Sequence, residues 1–269
     1  MSRTFGELRH EPTAKRIRAA LGGQAVVESD RALLVWEPRR VVPSYAVPIE
    51  DVRGALEPDS RPPAQSDSPV LHPGIPFGVH STEGDALVVR APGDTAGAAA
   101  FRPADRELAE HVILDFDGFD AWYEEDEQIF GHPRDPYHRV DVRRSARSIR
   151  IELDGEVLAD TSRASLLFET NLPVRFYLPP EDVRGDRQRT DLRTYCPYKG
   201  QASYWSFDVN GRTRRNLAWS YEAPLPDATP VTGRIAFWDE LVDVVLDGER
   251  RERPDTPFSR ALADEFGVG

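Results

Sequence analysis

Cys196 is the only cysteine of the chain, and Lys199 is one of only two lysines in a sequence whose other basic side chains are arginine. Arg193 stands just before them. Nearby positive charge favours a thiolate, so Cys196 is a candidate nucleophile or redox thiol. Lys199 is a candidate anion holder, or a Schiff-base amine if an apolar pocket lowers its pKa. Both also have plain readings, as a small buried residue and a solvated lysine at a turn. A cysteine nucleophile usually needs a base, and all six histidines lie at or before His138. A Cys–His pair therefore requires one of these histidines, none of which lies within 141–260.

Aromatic residues gather around this motif in the second half of the chain: Tyr177, Tyr204, Trp205, Trp219, Tyr221 and Trp238. In a strand Tyr204 and Trp205 face opposite sides, so one of them at most lines a given pocket, whereas Trp219 and Tyr221 share a face. Such residues either wall a pocket for a small or cationic ligand or pack a core. Glu37 and Glu169 each follow an apolar run and are either buried acids or charges at strand ends. The run Glu124 to Glu127 reads as a solvated face. The spacing of His72 and His80 fits no standard metal pattern, and no metal or cofactor is expected.

Internal repetition supplies the framework for these residues. Arg31-Ala32-Leu33-Leu34-Val35-Trp36-Glu37 matches Arg163-Ala164-Ser165-Leu166-Leu167-Phe168-Glu169, and Glu50-Asp51-Val52-Arg53-Gly54 matches Glu181-Asp182-Val183-Arg184-Gly185. Pro133, Pro136, Tyr137 and Arg139 recur as Pro254, Pro257, Phe258 and Arg260. The period is too long for a solenoid and implies a duplicated domain, with copies at 12–140 and 141–260 and a tail at 261–269. Alternation at Ile149, Ile151 and Leu153 before Asp154-Gly155 predicts a hairpin, as does Tyr204 to Val209 before Asn210-Gly211. Gly22-Gly23 and Asp247-Gly248 give the same signal. Pro173, Pro179 and Pro180 predict an edge position for the strand around Phe176-Tyr177-Leu178. Leu56 to Pro76 reads as a long loop, and short helices are expected at Asp105 to Val112 and Arg260 to Phe266. The fold class is mainly β, two homologous antiparallel lobes with few short helices.

Composition narrows the partners. A formal net charge of −12 argues against nonspecific binding to nucleic acid or anionic lipid. No stretch approaches the ~18 apolar residues of a membrane span. One cysteine makes no intramolecular disulfide, which fits a reducing compartment, and Met1 to Ala20 lacks the apolar run of a signal peptide. A cytoplasmic location is expected. The preference for arginine over lysine is most simply read as coding bias.

Cys196-Pro197-Tyr198-Lys199-Gly200, continuing through Ala202-Ser203-Tyr204-Trp205-Ser206, resembles the signature of DUF427, a family of unknown function. Ala218-Trp219-Ser220-Tyr221 with Pro224, and Val242-Asp243-Val244 with Asp247-Gly248-Glu249, resemble it too. Glu124 to His138 is similar to the junction of tandem members. The resemblance implies a β-tent fold like that of Mss4 and B-type methionine sulfoxide reductases, without the paired Cys-x-x-Cys zinc motifs. A nucleotidyltransferase label attached to the family finds neither a Gly-rich phosphate loop nor paired metal-binding aspartates here. The first copy departs from the signature: Ile75-Pro76-Phe77-Gly78 stands near the Cys196 motif, and Phe101-Arg102-Pro103 near Trp219-Ser220-Tyr221.

The leading expectation is a small-molecule pocket in the second lobe. Cys196, Lys199 and Arg193 form its polar edge, with Glu169 as a buried acid. Tyr177, Tyr204 or Trp205, Trp219 and Tyr221 form its walls. The alternatives are an enzyme using Cys196 or Lys199 in that pocket, and a non-catalytic interaction or scaffold protein. The ligand and the oligomeric state are not legible in the sequence.

Overall fold

A computed structural model of the chain describes residues 6–93, 97–255 and 266–268. The chain forms two compact units, Met1–Asp135 and Pro136–Gly269.

The first unit opens with β1 (Arg9–Pro12), β2 (Ile17–Leu21), β3 (Gln24–Ser29), β4 (Leu33–Trp36) and β5 (Ser44–Pro48). It continues with β6 (Ala55–Pro58), β7 (Gly84–Arg90), β8 (Gly97–Pro103), β9 (His111–Leu114), β10 (Ala121–Glu124) and β11 (Glu127–Ile129). The second unit begins β12 (Val140–Arg144), β13 (Ile149–Leu153), β14 (Glu156–Thr161), β15 (Ser165–Glu169) and β16 (Arg175–Leu178). It ends β17 (Arg187–Cys196), β18 (Gly200–Val209), β19 (Arg212–Tyr221), β20 (Ile235–Phe237), β21 (Asp243–Leu246) and β22 (Glu249–Arg250).

Strand order is the same in both. The seven-stranded sheets run β1-β4-β5-β9-β8-β7-β6 and β12-β15-β16-β20-β19-β18-β17, and the four-stranded sheets run β11-β10-β2-β3 and β22-β21-β13-β14. The ladders described are antiparallel. Four two-residue turns pin the register: Gly22-Gly23, Asp154-Gly155, Asn210-Gly211 and Asp247-Gly248 have positive φ at both central residues. That geometry matches the right-handed twist of the flanking strands, and Gly, Asn and Asp tolerate it.

Side-chain alternation gives each large sheet two apolar faces. In the second unit Phe176, Leu178, Ile235 and Phe237 join Ile149, Ile151 and Val244 of the small sheet in one core. The intervening Tyr177 and Ala236 join Tyr204, Trp219, Tyr221 and Trp238 on the outer face. The first unit repeats the division. Leu34, Trp36, Tyr45 and Val47 turn inward, while Val35, Ala46, Phe101 and Ile113 turn outward. Burying such a side chain contributes about 1.5–3 kcal/mol, so both faces of these strands are held in place by packing.

Three local expectations are corrected. β16 is an interior strand between β15 and β20, and its prolines lie outside the paired residues, where no ladder bond is lost. Residues 107–110 form a turn into β9 rather than a helix. Helical structure among the described residues is four 3-10 turns at Ile49–Asp51, Phe116–Gly118, Pro180–Asp182 and Pro226–Val231, with Phe266 also helical. The expected helix at Arg260 to Phe266 lies outside the described residues except for Phe266. Among the described residues no helix is long and apolar enough to cross a membrane.

Candidate functional site

The Cys196 motif is a tight turn between β17 and β18. The Lys199 N–H donates to the Cys196 carbonyl at 3.2 Å, with Pro197 supplying the fixed φ favoured early in such a turn. Gly200 follows at φ +92°, a conformation other residues rarely adopt. The Lys199 carbonyl accepts from Leu225 N–H at 3.1 Å, tying the turn to the segment after β19.

The Lys199 side chain runs inward and its ammonium donates to both carboxylate oxygens of Glu169, the last residue of β15. His138 closes the cluster, its Nε2 3.0 Å from Glu169 Oε1. The imidazole is stacked on Tyr198 with ring centroids 4.1 Å apart. Burial opposes ionisation of Glu169, but Lys199 and His138 outweigh it and hold the carboxyl at about 2. For Lys199 burial favours the neutral amine, yet Glu169, with Cys196 and Tyr177, drives its pKa above the ordinary lysine value. Lys199 is therefore an ammonium locked to an acid, a state opposed to amine nucleophilicity. Cys196 is half-buried at the entrance to this turn.

Beside the cluster lies the aromatic face. Trp219 Nε1–H donates to the Tyr177 hydroxyl at 3.0 Å, and their rings meet edge to face at 6.2 Å. Burial above all raises the Tyr177 and Tyr221 hydroxyl pKa values, so both phenols stay neutral. Tyr204 shares a hydroxyl hydrogen bond of 2.9 Å with Thr194. Trp238 packs on Trp219 at 4.4 Å, and the Arg175 guanidinium lies 5.7 Å from the Trp219 ring centre. Arg175 in turn makes a buried bidentate pair with Glu240, at 2.8 and 2.6 Å. Asp239 is buried alongside, and desolvation reinforced by Glu240 lifts its pKa to about 7 despite Arg175.

Strand parity settles which candidates belong together. Thr194 and Cys196 are half-buried, whereas Arg193 is exposed and bonds the carbonyls of Thr190 and Leu192. Arg193 is therefore not part of the edge with Cys196 and Lys199. Trp205 packs against the inner core and donates to Ser220 Oγ at 3.2 Å, so the wall residue is Tyr204. Tyr177, Trp219 and Tyr221 share the outer face, and Glu169 is buried.

His138 was missed because the chain divides after Asp135, five residues before the boundary read from the repeat. The second unit thus has a histidine of its own. Ladder register supplies the clue: Glu169 lies opposite Val140, only two residues beyond His138.

The first unit holds a related cluster. Glu37 accepts from Ser81 N–H and Thr82 Oγ1, both at 3.1 Å, and lies 3.0 Å from His80 Nδ1 and 3.6 Å from Arg40 Nε. Burial raises its pKa, but His80 and Arg40 bring the net shift below the ordinary value. Tyr177 and Trp219 both flank Ala236, as Ala46 and Phe101 both flank Ile113. Phe101 thus replaces Trp219, as the sequence predicts, and Ala46 replaces Tyr177. Tyr204 lies opposite Trp219 and Ala86 opposite Phe101. Counting back along β7 and β18 from these pairs sets His80 against Tyr198 and Ser81 against Lys199. Cys196 to Lys199 therefore runs against Gly78 to Ser81, three residues further along than the Ile75 to Gly78 match read from the sequence.

A two-sheet antiparallel lobe with a turn-borne lysine locked to a strand-end acid defines the second unit. Residues 141–248 match the family model described as a domain of unknown function, DUF427. The second unit accordingly carries a DUF427 domain. No curated protein matches the chain.

Proposed function

We propose that the second unit is a small-molecule binding module whose ligand contacts the outer aromatic face, with the Cys196 turn at its edge. The observation that carries this reading is the difference between equivalent faces. Tyr177, Tyr204 and Trp219 stand where the first unit has Ala46, Ala86 and Phe101. The first unit packs its equivalent face with Val35, Ala46, Phe101, Leu108 and Ile113, so packing alone does not require three large rings there. Flat, amphipathic rings fit a planar apolar ligand better.

The first unit is read as a second, divergent DUF427-type lobe with a structural role. The enzymatic alternative keeps only Cys196, because Lys199 is committed to Glu169. The test is a screen of small planar molecules by indole fluorescence. A ligand of the module loses at least about tenfold in affinity with Trp219→Phe and is indifferent to Phe101→Ala, tenfold being about 1.4 kcal/mol. A ligand unaffected by Trp219→Phe removes the reading.

A further inference from the structure

The aromatic face is covered by the chain's own distal residues. Phe266 and Val268 belong to the same apolar cluster as Tyr204, Trp219, Tyr221 and Trp238. The Phe266 ring lies 5.4 Å from Trp238 and 6.3 Å from Tyr204. Asn216 holds the segment's backbone: its Nδ2 donates to the Phe266 carbonyl at 2.8 Å and to the Gly267 carbonyl at 3.3 Å.

Asn216 is a fixed donor. It sits in β19 at φ +50°, next to an irregularity in the β18–β19 register. Its backbone N–H donates to Ser206 Oγ at 3.1 Å, and its carbonyl accepts from Trp238 Nε1 at 3.0 Å. Its side-chain oxygen accepts from Thr190 Oγ1 at 2.8 Å. With every other polar atom engaged, the amide nitrogen is the group left to meet an incoming acceptor. Gly267, at φ +56°, turns the segment where its carbonyl and that of Phe266 reach this one nitrogen. The bonds within the sheet, Trp219 to Tyr177 and Thr194 to Tyr204, do not involve the segment.

Resting on the binding reading above, we infer that residues 266–268 are an intramolecular ligand closing the aromatic face. The class of molecule that replaces them is a peptide segment offering an aromatic side chain followed by a turn with two carbonyls. The aromatic ring enters between Tyr204 and Trp238, and Asn216 reads the carbonyls. A tethered segment competes at an effective concentration of roughly millimolar, so it lowers the apparent affinity of any free ligand.

The experiment uses the full chain, as wild type and with Phe266→Ala and Val268→Ala combined. Phe266→Ala alone serves if the double variant loses its native indole fluorescence. The probes are a dye-labelled peptide with the sequence of residues 264–269 and anilinonaphthalene sulfonate. The peptide is expected to bind the opened protein on the order of tenfold or more tighter than wild type. Asn216→Gly, which keeps the positive φ and deletes the amide, should abolish that gain. Dye binding without peptide binding overturns the inference and leaves the small-molecule reading standing. Neither probe gaining affinity on opening overturns both. Equal peptide affinity for wild type and opened protein, or indifference to Asn216→Gly, overturns the intramolecular ligand alone.

Discussion

The two units bury a carboxylate at matching ends of matching strands, yet surround it with residues from different places. Glu37 takes its histidine and hydroxyl from the loop before β7 and its cation, Arg40, from just beyond β4. Glu169 takes its cation from the turn before β18 and its histidine from the segment before β12. The strand order fixes where the acid sits, and any neighbouring segment that supplies a cation and an imidazole satisfies it. The outer faces differ more deeply. One is packed by Val35, Ala46, Phe101, Leu108 and Ile113, and the other is built from tyrosine and tryptophan and covered by residues 266–268.

The largest effect should separate the two acids. Glu169→Gln leaves the Lys199 ammonium buried without its carboxylate and should cost the second unit about 3–5 kcal/mol. Glu37→Gln keeps an acceptor for Ser81 and Thr82, and Arg40 still bonds the Phe77 and Val79 carbonyls. Its cost should be nearer 1–3 kcal/mol. Urea unfolding followed separately through the tryptophans of each unit measures both, and equal losses would break the contrast.

A further contrast appears with pH, and it concerns Asp239. Its carboxyl is held at about 7 by burial, so the folded protein keeps a proton that the unfolded chain releases near 4. Stability should then fall as pH rises from about 4 to 7 and level off above. Asp239→Asn should add on the order of 1–3 kcal/mol at pH 8 and almost nothing at pH 3.5, read as thermal midpoints. The first unit has Phe116 at the corresponding count from the β9 ladder, and burial raises the carboxyl pKa values of the flanking Asp115 and Asp117 in the same direction.

Acid acts in the opposite sense on Glu169. Its folded pKa of about 2 lies below the ordinary 4.5, so its contribution is complete above pH 4.5 and is lost as pH falls toward 2. Glu169→Gln should flatten that part of the second unit's pH–stability curve while leaving the first unit's unchanged. The smallest effect belongs to Tyr204→Phe, which removes the bond to Thr194 and should cost about 0.5–1.5 kcal/mol. A cost of several kcal/mol would make that hydroxyl a mainstay of the face.

Much of the architecture is legible in the sequence because it rests on local chemistry. Asp154-Gly155 and Asn210-Gly211 demand hairpins, and the matched runs ending in Glu37 and Glu169 disclose the duplication. Strand parity alone separates Tyr204 from Trp205. What stays hidden depends on non-local register. Nothing near His138 announces that β12 will set it against Glu169. Lys199 looks reactive beside Cys196, but its partner lies thirty residues back in the chain. Asn216 reads as an ordinary strand residue until the bulge turns its amide toward Phe266.

The most direct test of the central claim is a fluorine NMR titration of protein carrying fluorotryptophan, opened by Phe266→Ala and Val268→Ala, with anilinonaphthalene sulfonate. Trp36 and Trp122 report on the first unit, Trp219 and Trp238 on the aromatic face, and Trp205 on the opposite side of the same sheet. Saturable shifts of Trp219 and Trp238, with Trp36, Trp122 and Trp205 unmoved, are the predicted result. Shifts confined to Trp36 and Trp122, or spread evenly over all five, would contradict a binding face on the second unit.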